Sequence, residues 1–463
     1  MPIKFHSKKT SEPEVLMGSR ESILRSVQAY VQSQPKKEFI PGITPIPFAA
    51  RVIDEEEIIN ATEAALDGWF TSGRFTDAFE SSFSDFFGLK SCLLTNSGSS
   101  ANLLALSAIT SPLLGHRRAV PGDEVITVAA GFPTTVNPII QNQLTPVFVD
   151  IDIGTYNAIG DEVEGAITPR TKAIILAHTL GNPFDLDGIG ALANRYGLFL
   201  IEDCCDAVGS RFQDRLVGTF GEMATVSFFP AHHMTMGEGG AVLTRSSEWE
   251  KLVRSFRDWG RDCFCDPGAS NSCGQRFAQQ HGTLPFGYDH KYVYSHVGYN
   301  LKITDFQAAI GLAQLKKLPW FIERRKHNFQ RLKDGLHSVS DQLVLPIPTP
   351  HSDPSWFAFP ITVKPQAPFS RNDIISHLEA NMIMTRMLFG GNLARQPAYQ
   401  ETNYRTFGNL KNTDAIMNHT FFIGVYPGIT DEMVDYMVDT IKTFVEKPIH
   451  QRKTVSEKRE GAY

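Results

Sequence analysis

Lysine is missing from the middle of this sequence: none occurs between Lys172 and Lys251, so no side chain in that stretch can form a Schiff base. Basic residues are not in surplus either. The 44 Lys and Arg stand against 50 Asp and Glu, a formal charge of −6, which leaves no electrostatic footprint for nucleic acid and requires any anionic ligand to be met by local groups. No apolar run reaches the length of a membrane span, and the first ten residues lead into no apolar stretch of signal-peptide length; a cytoplasmic protein without a membrane partner is expected. Cysteine is sparse, six in 463 residues, which argues against a disulfide framework and leaves metal or redox roles. No NAD or flavin fingerprint, internal repeat or low-complexity segment is present.

What is present is a globular composition, 42% hydrophobic and 20% charged, in a chain too long for a single core. An arm (1–45) carries an amphipathic helix over 21–34, with Ile23, Leu24, Val27, Tyr30 and Val31 at helical spacing, and packs on the body or on a second subunit. A large domain (46–325) comes next. Short apolar runs at 91–95, 124–128, 146–151, 173–178, 198–203, 224–229 and 240–244 alternate with helical stretches such as 99–109 and 186–196. That alternation predicts a mostly parallel sheet with helices on both faces and ligands at the carboxyl ends of its strands. The segment 256–299, rich in Gly, Asp, Asn, aromatics and Cys, breaks the rhythm and reads as a functional insertion. Helices are expected over 304–318 and 328–337. A smaller C-terminal α/β domain (326–450) is expected beyond them, with a strand near 356–363, helices at 371–381 and 431–446, and a charged tail over 451–463.

The most informative stretch is Ser227-Phe228-Phe229-Pro230-Ala231-His232-His233-Met234-Thr235-Met236-Gly237-Glu238-Gly239-Gly240. It resembles the cofactor-anchoring motif of the sugar aminotransferases of the DegT/DnrJ/EryC/StrS family, in which Ser-Phe-x-Pro-x-Lys precedes Gly-Glu-Gly-Gly and the Lys binds pyridoxal phosphate (PLP). Here the matching residue is His232, which cannot hold PLP covalently but can move protons. The resemblance covers roughly residues 45–440. It implies a PLP-dependent fold-type I aminotransferase architecture and a homodimer with active sites at the subunit interface. Asp203, closing an apolar run, then matches the partner of the cofactor's pyridine nitrogen. Asp206 falls where the family commonly has a Gln that touches the ring hydroxyl. Gly98, Ser99 and Ser100 open a helix and resemble the phosphate turn. Ser227 matches a further phosphate contact, Asn300 a residue that reaches the neighbouring subunit's phosphate, and Phe132 the ring that stacks on the cofactor. Asn182 is placed along the same cleft.

Cys205, Cys263, Cys265 and Cys273 follow the spacing C-x57-C-x-C-x7-C. Four thiolates suit a [2Fe-2S] cluster or zinc, and spacing does not separate the two. Cys92 and Cys204 are assigned to the core. Together with His232, the cysteine pattern resembles the iron-sulfur sugar-nucleotide 3-dehydrases that use pyridoxamine phosphate (PMP), CDP-linked in type with a dTDP analogue open. The resemblance implies removal of the 3-hydroxyl of a nucleotide-linked 4-keto-6-deoxyhexose, as in the biosynthesis of lipopolysaccharide O-antigen sugars. His232 is then the base at the cofactor's 4′ carbon, and electrons come from a reductase, ferredoxin or flavodoxin. Arg386 and Arg395, in the loop 385–397, are candidates for the diphosphate. Two rivals stand beside this reading, an iron-independent PMP dehydratase that draws nitrogen from glutamate and a non-catalytic descendant of the fold.

Overall fold

The computed structural model describes residues 19–35, 38–265 and 270–447; the tail at 451–463 and the arm's first 18 residues lie outside them. Seven strands coincide, to within a residue or two, with the seven apolar runs: β1 Ser91–Thr95, β2 Glu124–Val128, β3 Thr145–Val149, β4 Thr171–Ala177, β5 Phe199–Asp203, β6 Met223–Ser227 and β7 Gly240–Thr244. Nearly every residue in them is buried, as continuous apolar runs require when helices cover both faces. The sheet runs in the order β1-β7-β6-β5-β4-β2-β3, with the two-residue strand Arg405–Thr406 at its edge.

Strands β2 to β6 are parallel, whereas β7 runs against both of its neighbours. The reversal brings the start of β7 to the ends of β1 and β6. Thr95, at the end of β1, lies opposite Gly240, which also lies opposite Ser227 at the end of β6, and Asp203 at the end of β5 lies opposite Thr225. Four chain segments meet at one edge of the sheet.

Successive residues along each strand feed different layers, as a period of two demands. Leu94, Ile126, Ile174 and Leu200 join Phe79 and Phe83 of the helix Arg74–Phe87 in one core; Leu93, Val125, Ala173 and Phe199 join the helices Gly98–Ala108 and Ser247–Arg257 in the other. The smaller domain is an antiparallel four-stranded sheet built around Ala358–Val363 and Thr420–Gly424, packed on Asp431–Glu446 through Phe359, Ile361, Met437 and Ile441.

The helices expected at 304–318 and 328–337 are one helix, Asp305–Leu336, and the expected boundary at 325/326 falls inside it. Pro319 removes one backbone donor. Buried Leu318, Phe321, Ile322, Arg325, Asn328 and Phe329 on either side of it hold the helix together across that loss. The helix packs on Glu55–Asp67 at one end and on Asp431–Glu446 at the other, so it ties the two domains to one another. The arm helix, Arg20–Gln32, buries no residue and rests on Glu55–Asp67 through Arg20–Asp67 (2.6 Å) and Gln32–Glu55 (2.8 Å). Among the described residues no helix is long and apolar enough to cross a membrane.

Candidate functional site

At the shared sheet edge, Asp203 is 5% exposed and held on both oxygens. Oδ2 accepts from Asn102 Nδ2 (2.9 Å) and Thr135 Oγ1 (2.7 Å), and Oδ1 accepts the amide of Cys205 (3.1 Å). Asn102 is fixed in turn by Thr225, whose hydroxyl donates to its Oδ1 at 2.6 Å. Sequence reasoning misses Asn102 and Thr135, although Asn102 carries a signal: it is an amide side chain set between Ala101 and the apolar run Leu103-Leu104-Ala105-Leu106. A buried carboxylate locked in one orientation is what a pyridinium partner needs.

The helix Gly98–Ala108 begins beside it. Ser97 caps the helix by accepting the Ser100 amide at 3.1 Å, and Ser100 Oγ donates to Asn96 Oδ1 at 2.6 Å. A Cβ on Gly98 would sit 2.4 Å from Ser227 Cβ, and one on Gly240 would sit 2.4 Å from the Ser97 carbonyl. Glycine at both positions lets three chain segments close on the helix N-terminus, where free amides and the macrodipole favour an anion. Gly98, Ser99, Ser100 and Ser227 are therefore brought together with Asp203.

His232 and His233 are neighbours with different surroundings. His233 is 2% exposed and donates from Nε2 to the Ser355 carbonyl at 2.7 Å; burial pushes its pKa well below the usual histidine value, so it stays neutral. His232 is only partly covered, with its ring 5.6 Å from that of Phe357. Asp206 Oδ1 approaches its Nδ1 at 3.3 Å, a charge contact whose angle falls outside hydrogen-bond geometry. Burial raises the Asp206 carboxyl above its ordinary pKa, while His232 opposes that shift. Phe132, 52% exposed, stands edge-on to Phe389 (5.9 Å), and Phe389 lies 6.4 Å from Phe357. An aromatic row thus runs from Phe132 to His232. Phe389 adopts a left-handed φ of +45°, a strained setting for a bulky residue, in a loop pinned by the Gly390 amide to the Gly131 carbonyl and by the Leu393 amide to the Ala129 carbonyl.

The loop thiols are gathered. The Cys265 amide points at Cys263 Sγ (3.5 Å), the Ser272 amide at Cys265 Sγ (3.4 Å) and the Gln275 amide at Cys273 Sγ (3.4 Å), while His290 Nδ1 lies 3.7 Å from Cys273 Sγ. Hydrogen bonding from Ser272 pulls Cys265 down to about 7, the His290 contact lowers Cys273, and burial raises Cys263. Cys205 sits apart, in the turn after Asp203, and burial together with that carboxylate raises its pKa well above the thiol value. No three of these four sulfurs lie within 4.8 Å of one another. A tetrahedral zinc site, with Zn–S near 2.3 Å, needs all its sulfurs about 3.8 Å apart, so the arrangement is not a preformed zinc cage.

The metal-like group of His178, Glu202 and Cys204 is instead a hydrogen-bond network. Glu202 accepts the amides of Gly218, Phe220 and Gly221 (2.7, 2.8 and 2.8 Å) and contacts His178 Nε2 at 3.2 Å, and burial keeps Cys204 protonated.

Four other sequence-predicted residues lie outside this constellation. Asn182 is fully buried and its carboxamide is spent on the carbonyls of Thr155 and Ile347 and the amide of Thr349, which latches the two domains; it presents no polar atom to the cleft. Asn300 is exposed and accepts from Lys302 Nζ at 2.7 Å, while the adjoining Leu301 carbonyl accepts the Asn96 amide. Arg395 is engaged by both oxygens of Asp414. Arg386 lies 4.1 Å over the ring of Phe48 and donates to the Thr385 carbonyl.

Residues 51–442 match the model of the DegT/DnrJ/EryC1/StrS aminotransferase family. The chain is 56% identical over 426 residues to the lipopolysaccharide biosynthesis protein RfbH of Salmonella typhimurium, covering 92% of this chain and 98% of that one. It is 54% identical over 434 residues to the dTDP-4-dehydro-2,6-dideoxy-D-glucose 3-dehydratase of Saccharopolyspora spinosa, 94% of each chain. Among solved structures, a GDP-4-keto-6-deoxymannose-3-dehydratase with a trapped PLP-glutamate geminal diamine superposes with a TM-score of 0.77 at 28% identity, covering 86% of this chain and all of that one.

Proposed function

Since the chain belongs to the DegT/DnrJ/EryC1/StrS aminotransferase family and has its fold-type I architecture, we propose that it is a sugar-nucleotide 3-dehydratase that works with PMP. The observation that carries this reading is His232 at the lysine position of the anchoring motif, in a region without lysine, on the same sheet edge as the buried carboxylate of Asp203. The Saccharopolyspora spinosa 3-dehydratase, 54% identical, supports it.

The residues fit the cofactor. Close contact between Gly98 and Ser227 sets a helix N-terminus at the end of β6, where its free amides and the Ser99 hydroxyl would meet a phosphate, and Asp203, held by Asn102 and Thr135, would face the ring nitrogen. When bound, PMP supplies an amine for the 4-keto carbon and a ring that accepts electron density. The protein's part is to keep that ring protonated through Asp203, to cover one face with Phe132, and to move a proton at the 4′ carbon with His232 while the 3-hydroxyl leaves. An imidazole is a suitable general base for this step. His233, buried and donating to Ser355, takes no part in that transfer. Arg386 is the better placed of the two arginines for a diphosphate, since Arg395 is already paired.

The substrate is a nucleotide-linked 4-keto-6-deoxyhexose. Cys263, Cys265 and Cys273, each meeting a backbone amide, together with Cys205 would hold a [2Fe-2S] cluster, whose chemistry when bound is single-electron transfer, the electrons coming from a reductase, ferredoxin or flavodoxin. Exposed Phe277, Phe286, Tyr292, Tyr294 and Val297 on the same insertion suit the second subunit of a homodimer, in which Asn300 reaches the neighbouring phosphate. A second reading, iron-independent and renewed by glutamate, is favoured by the PLP-glutamate complex of the GDP-sugar enzyme.

The two readings separate in one experiment. The anaerobically purified protein is given PMP and a 4-keto-6-deoxyhexose linked to CDP, dTDP or GDP, with either a reducing protein or glutamate, and the product is weighed by mass spectrometry. A 3-deoxy ketosugar formed only with the reductant supports the cluster; formation with glutamate alone moves the function to the second reading. No loss of the 3-hydroxyl under either condition overturns both.

A further inference from the structure

One side chain of the long helix lies at the meeting point of the two domains and has no part in the proposed chemistry. Arg325 is 1% exposed and, among the described residues, makes no ion pair; the charge of Asp206 acts on it without the direct contact of a salt bridge. Burying a guanidinium without a carboxylate partner is costly, so packing alone does not account for it. All of its hydrogen bonds go to main-chain carbonyls. Nη1 donates to Trp356 (3.3 Å) and Phe357 (3.0 Å), and Nη2 donates to the carbonyl of His232 itself (3.0 Å).

These carbonyls belong to different domains. His232 lies in the loop after β6, and Phe357 immediately precedes the first long strand of the smaller sheet. The guanidinium therefore fixes, from one planar group, the main chain that carries the imidazole and the main chain that carries the ring packed 5.6 Å from it. The next residue repeats the stitch through His233 Nε2 and the Ser355 carbonyl. His232, His233 and Arg325 line one small cavity of about 10 Å³, and Nε of Arg325 and Nδ1 of His233 are buried without partners. That leaves the imidazole of His232 flanked by Phe357 and Asp206, with Nε2 making no hydrogen bond to the described chain.

We infer that Arg325 is a positioning residue for proton transfer, which holds the peptide of His232 so that its imidazole meets the reacting carbon from one side only. This rests on the reading of His232 as the base. A lysine at this place keeps the charge and reaches one carbonyl; methionine keeps the volume and reaches none.

The test uses the PMP-loaded protein with its nucleotide-linked ketosugar and follows exchange of the cofactor's two 4′ hydrogens with deuterated water. In Arg325→Met, bound PMP is retained, exchange slows about 10–100-fold, as a misplacement near 1 Å does, and the preference for one of the two hydrogens is lost. Arg325→Lys recovers part of the rate and the preference. A folded, PMP-loaded Arg325→Met protein that exchanges at the unaltered rate with the unaltered preference overturns the inference. Loss of a merely structural contact would lower the amount of folded protein without touching that preference. Should neither variant fold, a crystal structure of the unaltered PMP complex decides: a guanidinium still on the His232 carbonyl supports the role, and one that has left it refutes the role. Exchange that persists in His232→Asn defeats the base assignment instead, whatever the Arg325 variants do.

Discussion

Asp206 Oδ1 sits 3.3 Å from Nδ1 of His232, close enough to stabilise a protonated imidazole and off-angle for a directed hydrogen bond. Burial raises the carboxyl's pKa above its ordinary value, so holding Asp206 ionised costs folding stability. The sign is fixed by linkage: the folded state binds a proton over the window between the unfolded and the raised folded pKa, so the cost is absent below the unfolded value and complete above the folded one. Asp206→Asn should therefore melt higher than the unaltered protein at pH 7 and lose that advantage in acid. It should also slow 4′ exchange by about 10-fold, because the imidazolium loses its counter-charge. Calorimetry across pH and exchange rates on the same preparation check both halves. A variant that melts lower at pH 7 removes the burial argument.

His233 titrates with the opposite sign. Its pKa is depressed by burial, so the unfolded chain binds the proton more readily, and stability is lost as pH falls below about 6.5, the reference value for histidine. His233→Gln, which keeps a donor for the Ser355 carbonyl, should flatten the stability curve from about pH 6.5 downward. Denaturant midpoints at several pH values within this window provide the measurement, and an unchanged slope counts against a buried neutral imidazole.

Gly98 and Ser227 make a separable pair. An alanine at 98 would place its Cβ 2.4 Å from Ser227 Cβ, so one of the two segments at the helix N-terminus must move. Gly98→Ala should weaken PMP binding by about tenfold or more, equivalent to about 1.4 kcal/mol. Adding Ser227→Gly should restore part of the thermal stability without restoring affinity, since the side-chain clash is removed, the Cα stays 3.0 Å away and the hydroxyl is lost. Cofactor titration by absorbance reads the first effect and melting the second; recovery of both in the double variant makes Ser227 a packing residue only.

The fold was legible because the strands are buried on both faces and therefore spell out as apolar runs, and because Asp203, Ser227 and His232 lie at strand ends or within a few residues of them. The reversal of β7 was not, since strand direction leaves no mark on a five-residue apolar run. One helix read as two; across Pro319 it is held by Leu318 and Ile322 in the large core and by Asn328 and Phe329 against the smaller domain. Asn182 shows the same limit from the other side. A polar residue just past a strand end fits a cleft by rule, yet its carboxamide faces inward onto Thr155, Ile347 and Thr349. Arg325, Phe357 and Phe389 went unseen because only tertiary folding brings them within reach of His232.

Cys204 and Cys205 are adjacent, and only one of them can join the loop thiols. Cys204 is fully buried, its sulfur 3.1 Å from where a side chain on Gly218 would begin, beside the hydrogen-bonded His178 and Glu202. Cys205 is partly exposed in the turn after Asp203. A [2Fe-2S] cluster binds two thiolates on each iron, so losing one true ligand removes or rebuilds it. Cys204→Ala should then keep two irons and two sulfides per chain with an unchanged spectrum of the dithionite-reduced protein, whereas Cys205→Ser and Cys263→Ser should lose them. Dehydration without reduction, seen as continued 4′ exchange, should survive in both of the latter, because moving a proton with His232 consumes no electrons. Zinc in place of iron in the unaltered protein, or iron retained in both serine variants, sinks the cluster assignment and leaves the glutamate-dependent route to explain how PMP is renewed.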